Sequence, residues 1–139
     1  MRLPPDFHVS VSTNNGSVPP KHRRGVRITI DASGRLEHTT SRGYSQEEAT
    51  SVVSIIGEEG VTRLFEDLDA LGMFSAEWGA SGRKRVGGPS TWLTYTADGV
   101  TTLVPVHLGP EQARLRREIV DRIRRLLPPD TGVQRAASP

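Results

Sequence analysis

The chain has no cysteine. Disulfides and thiolate metal sites are therefore excluded, and an origin in a reducing compartment is expected. Aromatic residues make up only 5%, too few to interleave with the bases as a stacking platform for single-stranded RNA would require. No run approaches the roughly 20 apolar residues that span a bilayer. Met1-Arg-Leu-Pro-Pro-Asp6 has no apolar stretch of the kind a secretory signal needs. A cytoplasmic protein without membrane contact is expected.

Catalytic motifs are also missing. There is no G-x-S-x-G elbow. Gly82-Arg-Lys-Arg-Val-Gly-Gly-Pro89 lacks the Lys-Ser/Thr end of a phosphate loop and is not placed between a strand and a helix. His8, His22, His38 and His107 are far apart, and none stands in an H-x-x-x-H pair, so no metal site is expected. The carboxylate pairs Glu58-Glu59 and Asp67/Asp69 fall on the expected outer face of a helix, where they solubilise. An acid–base pair needs a cleft that separates its pKa values. Neither enzymatic activity nor a cofactor is expected.

What is present is a pattern of strands and two helices. The clearest signal is Asp98-Gly99 between two β-rich runs, Thr91–Ala97 and Val100–Leu108, because that pair accepts the positive φ angles of a tight hairpin turn. Phe7–Thr13 and Gly25–Asp31 alternate apolar and polar residues and read as half-buried strands, with Val26, Ile28 and Ile30 facing in. Asp31-Ala-Ser-Gly34 is a turn, after which Arg35–Thr39 pairs back. Residues 45–56 carry two signals. Ser45-Gln-Glu-Glu48 has the form of a capping box, whereas Thr50–Ile56 is β-branched and favours a strand.

Glu58–Leu71 places Val61, Leu64, Phe65, Leu68 and Leu71 on one helical stripe, ended by Gly72. Ser75–Pro89 reads as a long loop. Gly109-Pro110 opens a helix with the stripe Leu115, Ile119, Ile123 and Leu126, stopped by Pro128-Pro129. These elements predict one α+β domain over 7–128, an antiparallel sheet of four to five strands with two helices packed on one face. Residues 1–6 form a flexible lead-in and 129–139 a disordered tail. The two tryptophans are assigned to packing, Trp92 beneath a helix, while Trp78 could alternatively anchor an interface.

Two surface regions carry the functional expectations. The segment Asn14, Asn15, Gly16, Ser17, Val18 and Pro19, followed by Pro20, joins two strands. Its prolines stiffen it and its small residues admit another backbone, so it is the candidate partner-binding segment, although a plain strand connection has the same composition. The second region is basic. Net charge is only +2, but residues 46–77 hold eight acids and one base, Arg63, leaving 17 bases and eight acids elsewhere. Arg83, Lys84 and Arg85, with Arg117 and Arg124 of the last helix, are the candidate anion-binding residues. Arginines flanking an apolar stripe also serve simply as solvated cover.

The order of these features resembles the emfourin-like proteins, small bacterial cytoplasmic inhibitors of thermolysin-type zinc metalloproteases. The likeness rests on an N-terminal strand entering a Gly-containing loop and a strand ending in Asp31-x-x-Gly34. It continues through a Leu-rich helix closing on Leu71-Gly-Met-Phe74, a Thr-rich hairpin with Asp98-Gly99, and a last helix ending in Leu126-Leu-Pro128. Where that family has a Gly-Gly pair after the first strand, this chain has Asn15-Gly16-Ser17, and segments 40–57 and 83–88 depart from the pattern. The resemblance implies a protein-binding domain whose 14–20 segment enters a protease cleft; separately, a monomer or weak oligomer is expected. The residues alone also admit, without favouring it, a nucleic-acid-associated module using 83–85 and the last helix, or an accessory subunit of a larger assembly.

Overall fold

A computed structural model describes residues 3–14, 24–42, 49–80 and 90–127. The strands are β1 (His8–Asn14), β2 (Arg24–Asp31), β3 (Arg35–Arg42), β4 (Thr50–Ile55), β5 (Ser90–Ala97) and β6 (Val100–Val104). Helix α1 (Gly57–Leu71) follows β4, and α2 (Pro110–Arg124) follows β6. All six strands form one antiparallel sheet in the order β4-β3-β2-β1-β5-β6. The fold is α+β as expected, with six strands rather than four to five. The count reaches six because Arg35–Arg42 and the β-branched Thr50–Ile55 both form strands, β4 lying outside β3. The competing capping-box signal at 45–48 lies outside the described residues.

Register explains the layering. Val9 and Val11 of β1 sit opposite Ile30 and Ile28 of β2 and opposite Tyr95 and Leu93 of β5. Because side chains alternate between faces, these residues share one face, and all six are buried. Val61, Leu64, Phe65 and Leu68 of α1 and Ile119, Val120 and Ile123 of α2 close on that face. Leu71, Leu115 and Leu126 of the expected stripes are half-buried at its margin. The opposite face carries Ser10, Ser12, Arg27, Thr29, Glu37, Thr39, Thr94 and Thr96, and no described element covers it.

Trp92 corrects the reading that placed it beneath a helix. It stands opposite Ser12 on the uncovered face and is 52% exposed. The two-residue period that buries Leu93 and Tyr95 turns Trp92 to the other side, whatever its bulk. Trp78 instead packs against the core, its indole N–H donating to the Tyr95 phenol at 2.8 Å.

Turns are set by local chemistry. Asp98 and Gly99 adopt φ of 52° and 79°, the left-handed values a primed hairpin turn requires. Their N–H groups donate to the two carboxylate oxygens of Asp6 at 2.9 and 2.8 Å. The preceding Leu3 also packs against the core. At the β2–β3 turn, the Asp31 carboxylate accepts from the Ser33 hydroxyl and from the Ser33 and Arg35 amides. These bonds, led by the Ser33 hydroxyl, hold its pKa below the usual carboxylate range.

After α1, Gly72 caps the helix at φ 96° and a 3₁₀ turn covers Met73–Ser75. The expected long loop from 75 is thus partly built. Ala80 bridges Leu108, and the Gln112 side chain clasps the chain at Gly79 and Glu77.

Candidate functional site

Asn14 ends β1, which lies inside the sheet and is held on both sides, Asn14 facing Gly25 on β2 and Ser90 on β5. Gly25 in turn faces Ser41, and Thr40 faces Thr50. The C-terminal ends of β1 and β3 and the N-terminal ends of β2, β4 and β5 therefore stand side by side at one end of the sheet. Arg24 and Arg42 are exposed there and face each other across the β2–β3 ladder. Of the expected partner-binding residues only Asn14 is described; Asn15, Gly16, Ser17, Val18 and Pro19 lie outside the described residues, as do Arg83, Lys84 and Arg85.

Arg117 and Arg124 are both exposed on α2 and line one recess of about 170 Å3 with Thr91, Ala113, Arg116, Val120 and Asp121. Seven residues apart, they fall two helical turns along one face. Arg116 is committed to structure. Its guanidinium donates to the carbonyls of Val106 (2.8 Å) and Pro105 (3.2 Å), pinning the segment between β6 and α2. Burial lowers its pKa, with a lesser contribution from the charge of Arg117. The recess is cationic on balance, but Asp121 occupies it too.

A larger groove, about 450 Å3, lies between the C-terminal half of α1, the 3₁₀ turn and the β5–β6 hairpin. Phe65, Phe74 and Tyr95 give it aromatic walls; Phe74 meets Tyr95 edge-on at 5.6 Å and Phe65 at 4.9 Å. Ala97, Val100 and Thr102 line the strand side, and Asp69 and Asp98 supply carboxylates. The sequence reading missed this groove and put Asp69 with Asp67 on the outer helix face. Asp67 is exposed and pairs with Arg122 at 3.6 Å, whereas Asp69 is half-buried on the groove side. Helical phase could have separated the two, since Asp69 follows Phe65 by four residues.

Glu58 and Glu59 are exposed. His8 lies on the uncovered face and His38 on the helix-bearing face, where burial lowers its pKa. Among the described residues, no group of three or more His, Cys, Asp or Glu side chains is placed to hold a metal ion. No helix among them is long and apolar enough to cross a membrane. No protein-family model matches the chain, and no curated protein matches it.

Proposed function

We propose that this chain is a non-catalytic protein-binding domain and that its partner is a thermolysin-type zinc metalloprotease engaged by the 14–20 segment. The observation that carries the reading is the position of Asn14. It ends a strand laddered on both sides, so the segment that follows departs from a well-anchored point of the sheet. Anchoring one end lowers the ordering cost of inserting a segment into a partner, and Pro19 and Pro20 lower it further. The order of elements, from the first strand through the Asp98-Gly99 hairpin to the last helix, is also the order on which the emfourin-like resemblance rests.

The test is a titration of thermolysin-type protease activity with the full chain. Inhibition saturating at one chain per enzyme supports the proposal, with Gly16→Trp weakening it while leaving the far-ultraviolet circular dichroism unchanged. Undiminished protease activity at excess chain removes it.

A second reading has its own observation, the shared recess of Arg117 and Arg124 beside Thr91 on β5. In that reading the recess, together with Arg83, Lys84 and Arg85, binds a polyanion such as nucleic acid. Binding of a labelled oligonucleotide should then fall steeply with salt and weaken in Arg117→Ala and Arg124→Ala. Salt-independent or absent binding at low ionic strength removes this reading.

A further inference from the structure

The exposed large apolar residues among those described are Val52, Val53, Ile55, Trp92, Val100 and Leu103. All but Trp92 lie on the two edge strands, β4 (TSVVSI) and β6 (VTTLV), and neither strand contains a charge or a proline. Sheet edges left free are ordinarily protected by lysine, proline or a bulge. Here Leu103 of β6 is 75% exposed.

Beside β6, and not β4, lies the 450 Å3 groove. The two-residue turn closes on Ala97 and Val100, so alternation directs the backbone groups of Val100, Thr102 and Val104 to β5 and those of Thr101 and Leu103 outward. The side chains of Val100 and Thr102 line the groove. A strand added to β6 would hydrogen-bond to Thr101 and Leu103 and place every second side chain over the groove.

The chemistry of the groove selects that side chain. Phe65, Phe74 and Tyr95 offer flat surfaces for an aliphatic stem or a guanidinium plane. Asp69 and Asp98 offer two negative charges, and neither is in an ion pair among the described residues. A second copy of this chain does not match, because an edge-to-edge pairing through β4 or β6 brings no base to the groove.

We infer that β6 and its groove bind an extended segment of another protein, added as a seventh strand with a lysine or arginine side chain between Asp69 and Asp98. This surface lies at the hairpin end of the sheet, opposite the end at Asn14, and does not depend on the protease reading.

The test is a nuclear magnetic resonance titration of the isotope-labelled full chain with the blocked peptide Thr-Val-Thr-Arg-Thr-Val-Thr and its counterpart with Glu in place of Arg. The expected result is shifts at Asp98, Thr101 and Leu103, slowed amide exchange at Thr101 and Leu103, and binding of the Glu peptide weaker by about tenfold or more. Val100→Lys, which puts a like charge beside the groove, should weaken the Arg peptide by a similar factor. Joint Asp69→Asn and Asp98→Asn should abolish the discrimination between peptides while leaving the remaining spectrum in place. Absent shifts at millimolar peptide, equal affinity for both peptides, shifts confined to β4, or dimerisation of the chain through β6 would each overturn the inference.

Discussion

The indole N–H of Trp78 donates to the phenolic oxygen of Tyr95 at 2.8 Å, and that hydroxyl donates its own hydrogen to the Met73 carbonyl at 2.8 Å. One buried phenol thus ties the segment after α1 to the centre of β5. Tyr95→Phe keeps the ring and its edge contact with Phe74 but leaves an indole donor and a carbonyl without their partner. The expected loss is about 1–3 kcal/mol, measured by urea unfolding. A change of only a few tenths would mean that water replaces the phenol there.

The second prediction concerns Gly34. It adopts φ 87°, and a Cβ there would lie 2.6 Å from the backbone nitrogen of Gly57. Its carbonyl accepts the Ile56 amide at 2.8 Å, so the β2–β3 turn and the start of α1 are locked backbone to backbone. Gly34→Ala should destabilise the fold by roughly 1–3 kcal/mol or more through both the dihedral and the overlap, seen as a lower melting temperature. Gly79→Ala, where a Cβ meets nothing within 4 Å, should leave it nearly unchanged. Equal effects at the two positions would contradict this packing.

The two tryptophans should separate in solution. Acrylamide should quench Trp92 more strongly than Trp78, resolved in the Trp78→Phe and Trp92→Phe variants. Trp92→Thr should change stability by no more than about 0.5 kcal/mol, as for a surface position. A large loss would place the indole in a packed setting and refute an uncovered sheet face.

His38 predicts a pH dependence. Burial lowers its pKa below 6.5. As pH falls through 6.5 the unfolded chain takes up the proton first, so unfolding is favoured. The contribution of the neutral imidazole is complete above 6.5 and is lost as pH drops toward the folded value. His38→Leu should remove this component, so wild type should lose stability relative to the variant as pH is lowered below 6.5. Urea midpoints measured across that range should diverge; parallel curves would show that His38 titrates alike in both states.

Much of the fold was legible because it is written in short periods. Alternation in Phe7–Thr13, Gly25–Asp31 and Thr91–Ala97 assigns β1, β2 and β5, and the four- and three-residue spacings from Val61 to Leu68 assign the buried side of α1. Trp92 shows where residue type misleads, since its bulk suggests burial while its phase with Thr94 and Thr96 dictates exposure. Arg117 and Arg124 could be placed on one helical face from spacing alone. The aromatic groove could not be read this way. Its walls come from α1, the 3₁₀ turn and a hairpin, which only tertiary packing brings together, and its Asp98 first registers as a turn residue.

In the proposed function, recognition departs from the sheet end at Asn14 while the helix-covered core stays as it is. Hydrogen–deuterium exchange of the chain, alone and with an equimolar thermolysin-type metalloprotease, tests it most directly. Protection is expected in peptides spanning 14–20, with α1 and α2 exchanging as in the free chain. Unchanged exchange across 14–20, or protection confined to the helices, would contradict it.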